Sequence, residues 1–263
     1  MRALRPVLTS LVVLFAACGR DECSQARTGD EETCDSYDGG QLSFVLGDPL
    51  PDMSAYCESR CVDVDAPIAI GGYADLRDVP FLPKVRRVKA LGLNMRGVSS
   101  LRGLERVDVT GELHLFGHAG QLDNSSKTLE GLVDEEVEAL TIERVSGLDS
   151  LNGLSVQRAN SVSLVATSLQ QVDLSSVKAS FVNVNANFEL KTLALSSNVM
   201  KQLSIYANES LAELSWMPGL QVQNRLEVGR NAALSNCVVQ RLVEETDAGT
   251  ARSVSILDNG PCP

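Results

Sequence analysis

Aromatic residues are scarce: Phe, Trp and Tyr together make up 4% of the 263 residues. With 44% of the chain apolar, a core is affordable only from aliphatic side chains. Positive charge is also short. Against 34 Asp and Glu stand 23 Lys and Arg, a net charge of -11, and no basic cluster interrupts this balance. Such a surface repels phosphate backbones, which excludes nucleic acid as a partner. There are only two histidines, His114 and His118. Four residues of strand span ~13 Å, too far for one ion, and no third ligand is evident, so no metal site is expected. No phosphate loop, G-x-S-x-G or H-E-x-x-H pattern occurs, and no cofactor is implied. Close cysteine pairs are missing too. Only Cys57 and Cys61 are near each other, which argues against structural zinc.

Apolar runs are short. "PVLTSLVVLFAA", after Arg2 and Arg5, is too short and too early for a spanning helix and reads as an export signal over residues 1–17. The following "FAAC" resembles a bacterial lipobox, in which cleavage precedes a lipidated cysteine. Ala16, Ala17 and Cys18 fit it, while Phe15 stands where Leu is usual. Cys18 is therefore the expected lipid anchor to a membrane, an ordinary secretory signal being the alternative. Gly19 after Cys18 resembles the outer-membrane sorting pattern of a Gram-negative cell envelope. Setting Cys18 aside leaves six of seven cysteines, an even number suited to an oxidising compartment. Residues 18–40 are acidic and nearly free of aliphatics, which reads as a tether. They lack the acidic spacing and distal Glu of a calcium loop.

The remainder is periodic. An apolar-x-apolar triplet begins at Ile68, Leu91, Leu113, Leu140, Val162, Val182, Leu203, Leu226 and Val254, with steps of 23, 22, 27, 22, 20, 21, 23 and 28 residues. A second apolar column runs Leu76, Val98, Leu122, Leu148, Leu169, Leu190, Leu211 and Leu234, and a third Val79, Leu101, Leu151, Val172, Leu193 and Leu214. In each triplet the outer residues face one side and the middle one the other. The middles are small or polar, so one face is core and one is solvent. A period near 22 is too short for a strand-helix-strand unit of ~30 residues and suits a coil of a solenoid. The expected fold is an all-β parallel solenoid of about nine coils over residues 66–263, after an N-terminal cap over 41–65. Asn187, Asn208, Asn231 and Asn259 each lie five residues after a triplet's start. At a corner, Asn bonds backbone groups that lack sheet partners. Tyr73, Arg96, His118, Val145 and Thr167 hold this place earlier, so any ladder belongs to the C-terminal half.

"MKQLSIYAN" (200–208) and "LKTLALSSN" (190–198) resemble the leucine-rich signature L-x-x-L-x-L-x-x-N. The short, helix-poor repeat and disulfide-closed end are similar to receptor L domains, and leucine-rich-repeat lipoproteins occur in bacteria. The resemblance implies a right-handed β-helix over about residues 60–263 and is nearly silent on activity. The early coils depart from it in lacking the Asn.

Two segments break the period. "DNSSKTLEGLVDEE" after Leu122 lengthens a coil into a loop. "SNCVVQRLVEETDAG" reads as a helix capped by Ser235 or Asn236, striped by Val238, Val239, Leu242 and Val243, and ended by Gly249. A final strand, "SVSILDN", follows, and we expect Cys237 to pair with Cys262, pinning this short helical cap and that strand over the last open coil and protecting a sheet edge. Near the other end "DMSAYCESRC" reads as a short capping helix, and the pairing of Cys23, Cys34, Cys57 and Cys61 stays open among alternatives.

Catalysis on a β-helix needs converging carboxylates. Glu227 is the lone carboxylate among the solvent positions Thr141, Ser163, Asn183, Ser204 and Glu227, with Glu143 three coils away. No enzyme is expected. What remains is a surface: Phe116, Glu143, Asn183, Asn185, Tyr206 and Glu227 form a candidate binding strip for a protein or glycan. Rings folded into the coil corners are the alternative. The expected role is binding or adhesion at the cell envelope. A structural envelope spacer is the alternative, and a polysaccharide-active enzyme comes after it. Asn124-Ser-Ser126 and Asn208-Glu-Ser210 match the glycosylation pattern, to which no meaning is attached here.

Overall fold

The computed structural model describes residues 34–117, 127–132, 134–246 and 251–262. The export signal, Cys18, Cys23, His118, Leu122, Asn124 and Gly249 lie outside them. In chain order the strands are β1 (Asp35–Tyr37), β2 (Leu42–Val45), β3 (Val62–Gly71), β4 (Val85–Asn94), β5 (Asp108–Phe116), β6 (Glu136–Glu143) and β7 (Arg158–Val165). Then follow β8 (Gln171–Leu174), β9 (Lys178–Asn185), β10 (Thr192–Leu195), β11 (Val199–Tyr206), β12 (Glu213–Trp216), β13 (Gln221–Gly229) and β14 (Ser253–Leu257). A helix, α1 (Asn236–Glu245), lies between the last two strands.

The strands form a parallel β-solenoid. Its large sheet runs β3-β4-β5-β6-β7-β9-β11-β13-β14, with β1 and β2 both against β3, and its small sheet is β8-β10-β12. All nine triplets stack in register: Ile68, Leu91, Leu113 and Leu140 are paired in series. Val162, Val182, Leu203, Leu226 and Val254 continue the row. The nine rows make a parallel solenoid of about eight turns, as the periodicity predicts. Every described residue of the second and third apolar columns is buried. The core is thus one continuous aliphatic stack, as the shortage of aromatics requires.

The sheet starts earlier than the periodicity suggests. Leu42-Ser-Phe44 pairs with Ile68-Ala-Ile70 as a tenth row inside the expected cap, and β1, within the expected tether, pairs with Val62–Val64. The long strands also carry a leading half that sequence reading missed. Register shifts fall between Val64 and Pro67, Val88 and Ala90, and Met200 and Gln202. Before them sits another buried column: Val88, Val109, Val137, Ala159, Ala179, Met200 and Val222. A bulge flips the parity of side chains, which hides this column from a strict alternation test.

After the triplets the chain turns. Arg144, Ala166, Ala186, Ala207, Arg230 and Asp258 all adopt φ of 51–56°, left-handed backbone rare in residues other than Gly. It costs each roughly 1 kcal/mol or more. Hydrogen bonds carried on from the sheet hold them there, such as Ala186 N–H to Tyr206 O at 2.9 Å and Ala207 N–H to Gly229 O at 2.9 Å. From Ala186 onward the next residue is the ladder Asn. Asn208 Oδ1 accepts from Asn187 N at 3.0 Å and from Asn187 Nδ2 at 3.1 Å. Asn208 Nδ2 donates to Val184 O at 2.8 Å and to Asn231 Oδ1 at 3.2 Å. The same pattern joins Asn187 to Leu164 O, Asn231 to Ile205 O and Asn259 to Val228 O. Thr167 closes the series, its N–H and hydroxyl both donating to Asn187 Oδ1.

The C-terminal bridge Cys237–Cys262 is present, with Cα atoms 5.2 Å apart. Ser235 Oγ caps α1 by accepting from Cys237 N, and Val239 and Leu242 are its buried side chains. The final strand β14 closes the open edge of β13, as expected. The helix ends at Glu245, short of the expected Gly249, and the Thr246 hydroxyl just after it donates back to Leu242 O. The helix lies beside β12, where Trp216 Nε1 donates to Glu245 and Arg241 sits over the Trp216 ring. Val254 and Leu257 of β14 are left 41% and 52% exposed. At the other end Cys34 pairs with Cys61, Cα atoms 4.9 Å apart, and Cys57 is also disulfide-bonded. Ser54–Tyr56 forms a single 3-10 turn there. Tyr56 stacks edge-on between Tyr37 and Phe81.

Candidate binding face

Strand alternation decides which side chains leave the solenoid. Phe116, Glu143, Val165, Asn185, Tyr206 and Gly229 form one outward row across β5, β6, β7, β9, β11 and β13. Asn183 and Glu227 stand in the adjacent outward row through His114, Thr141, Ser163 and Ser204. The structure therefore brings all six expected residues to one face. Five strand spacings of ~4.8 Å make it about 24 Å long.

The face has two neighbourhoods. In the first, His114 lies 5.2 Å from Phe116, centroid to centroid, and Phe116 rests over Gly92. His114 Nε2 is 3.8 Å from Glu143 Oε2, beyond hydrogen-bond reach, while Arg144 holds the other carboxylate oxygen at 3.1 Å. In the second, Tyr206 covers Gly229, with ring carbons 3.2 Å from where a Cβ would stand, and Arg230 lies 5.4 Å from its ring centroid. Asn183 Nδ2 donates to Ser163 Oγ, and Glu227 accepts from Ser204 and Arg225. The Asn185 Oδ1 atom is enclosed without a hydrogen-bond partner.

The expected rings are half-buried packing elements, since a flat ring on a glycine restores the area that the missing side chain leaves open. The bare rings are others. Phe181 is 36% exposed, with Lys201 Nζ 5.7 Å from its centroid, and Phe188 is 55% exposed. Parity points to Phe181, because residues 181, 183 and 185 share a face. Phe188 follows ladder residue Asn187 and had no such signal. Glu143 and Glu227 are further apart than expected. Three strands, β7, β9 and β11, lie between them, four spacings or ~19 Å, beyond the ~5 to 10 Å of a glycosidase pair.

Two titrating carboxylates lie off this face. Burial raises Asp134 to about 6, Asp108 adds to the rise, and the Val109 N–H bonded to its Oδ2 opposes it. Arg77 holds Asp75 down at about 2. A groove of about 740 Å³ bounded by Leu46, Leu50, Tyr73, Pro80 and Phe81 opens near the first turn, with none of the six residues in its wall. Asn208 is fully buried, so its glycosylation pattern is unavailable to an enzyme in the folded chain.

The class defined by fold and surface is a disulfide-fastened parallel β-solenoid with one polar and aromatic sheet face. No family model, curated protein or solved structure matches the chain. The two leucine-rich stretches fall on different walls. Residues 200–208 supply β11 and ladder residue Asn208, whereas 190–198 supply β10 and Asn198, which bonds Ala179 O instead.

Proposed function

We propose that this protein is an exported, lipid-anchored component of the cell envelope that binds a protein or glycan, without catalysis, through the outward face around β9 and β11. One observation carries the reading: the exposed ring of Phe181 stands on the same face of β9 as the amides of Asn183 and Asn185, on a rigid sheet. Rings supply large contact area at low entropic cost, and amides supply hydrogen bonds to peptide or sugar. The Cys34–Cys61 and Cys237–Cys262 bridges support an oxidising compartment. The lipobox-like "FAAC" supports anchoring through Cys18, and Gly19 supports the outer membrane. The likeness to receptor L domains supports a recognition role. A photo-crosslinking residue at Phe181, on intact cells, should capture a partner, whereas one at Thr192 on the small sheet should not. Equal capture, or none at Phe181, contradicts the reading. Cys18→Ser should release the protein from membranes, and continued attachment contradicts the anchor.

A further inference from the structure

The last strand of the large sheet is bare. Among the described residues β14 pairs with β13 alone, and its outer edge has no partner. In other rows the triplet's outer residues are fully buried, but here Val254 is exposed and Ile256 only partly covered. Leu257 O accepts from Arg230 N, so the backbone groups of Ser253, Ser255 and Leu257 face β13. By alternation those of Val254 and Ile256 face outward: two N–H and two C=O groups aligned on an open edge. Such an edge is a template for another strand.

The edge is complementary to itself. It reads Arg252-Ser-Val254-Ser255-Ile256-Leu-Asp258. Laid antiparallel on its own copy about Ser255, it sets Val254 against Ile256 of the second chain, and brings Arg252 and Asp258, just beyond the two ends of the strand, near their opposites on the second chain. The apolar pair is then the hydrogen-bonded one, and its outward groups form four bonds across the symmetry axis. Ser255 meets its own copy as the non-hydrogen-bonded pair, the closer of the two types, with Cα atoms ~4.5 Å apart. Both charged ends find the opposite charge. At the other end β2 also pairs on one side only, but its Leu42 and Phe44 are already covered, so it lacks the uncovered apolar pair that β14 offers. We infer that β14 is a dimer interface through which two copies join end to end about a two-fold axis, making one continuous sheet.

Cysteine substitution in the full chain tests this. Ser255→Cys should give a reducible covalent dimer on intact cells. Arg252→Glu, which reverses two symmetry-related contacts, should weaken dimerisation by about tenfold or more. Adding Asp258→Arg should restore it, because the swapped charges again face each other. Circular dichroism and maleimide labelling of the new thiol establish that each variant is folded and its thiol reachable. No dimer from a reachable Ser255→Cys thiol overturns the proposal. So does failure of the charge swap to rescue, or a crosslink that requires Ser43→Cys together with Ser255→Cys, which marks head-to-tail stacking.

Discussion

The two halves of the solenoid turn the same corner by different means. From Asn187 onward an amide fills it, buried in all but the last coil, and each amide bonds the neighbouring coils, the first of them reaching back to Thr167. Earlier coils place Tyr73 or Val145 in the core at that position, and Arg96 outside it. An apolar plug covers the corner but transmits nothing from coil to coil. An amide ladder does, because the acceptor of one coil is the partner of the preceding backbone N–H.

Substitutions can break or sharpen the contrast. The largest effect is expected at Asn208. Replacing it with Ala takes their amide partner from Asn187 N and Val184 O in the core and one bond from each neighbouring Asn side chain, at a cost of about 4 kcal/mol. Val145→Ala, at the matching place in the other half, removes only apolar volume and should cost about 2 kcal/mol. Urea denaturation measures both, and equal losses would remove the distinction. Cys237→Ser should cost about 3 kcal/mol by opening a 25-residue span, and should expose one new thiol at Cys262. Asn259→Ala, at the half-exposed end of the ladder, should cost only about 1 kcal/mol.

The N-terminal half has its own signature in pH. Asp134 titrates near 6 in the folded chain against an ordinary value of 3.8, so its ionisation opposes folding. Stability is lost as pH rises from about 4 through 6. Asp134→Asn keeps the acceptor for Val109 N and should add about 1 kcal/mol at pH 7 but little at pH 4. Thr167→Asn should have the smallest effect, a gain of about 0.5 kcal/mol as the ladder extends by one coil. A large loss there would mean that Asn cannot be carried into the earlier corners.

Much of this was legible in the sequence because stacking forces repetition. Triplets, both flanking columns, the Asn offset, α1 and the Cys237–Cys262 bridge each left a pattern in spacing. What the pattern could not carry was unrepeated or relational. Leu42-Ser-Phe44 is a single copy beyond an acidic segment, and the Val88 to Val222 column is displaced by bulges. Phe116 and Tyr206 occur where expected, yet their half-burial depends on glycines one strand away at Gly92 and Gly229. The bareness of β14 depends on α1 lying beside β12, which no local spacing encodes.

Native-state hydrogen exchange tests the ladder most directly. The backbone amides of Asn187, Asn208 and Asn231 each donate to the next Asn side chain. They should exchange only with global unfolding, and Asn208→Ala should selectively accelerate Asn187. Exchange of these three amides at the rate of exposed loop amides, or no change at Asn187 in the variant, would contradict a ladder that binds the coils together.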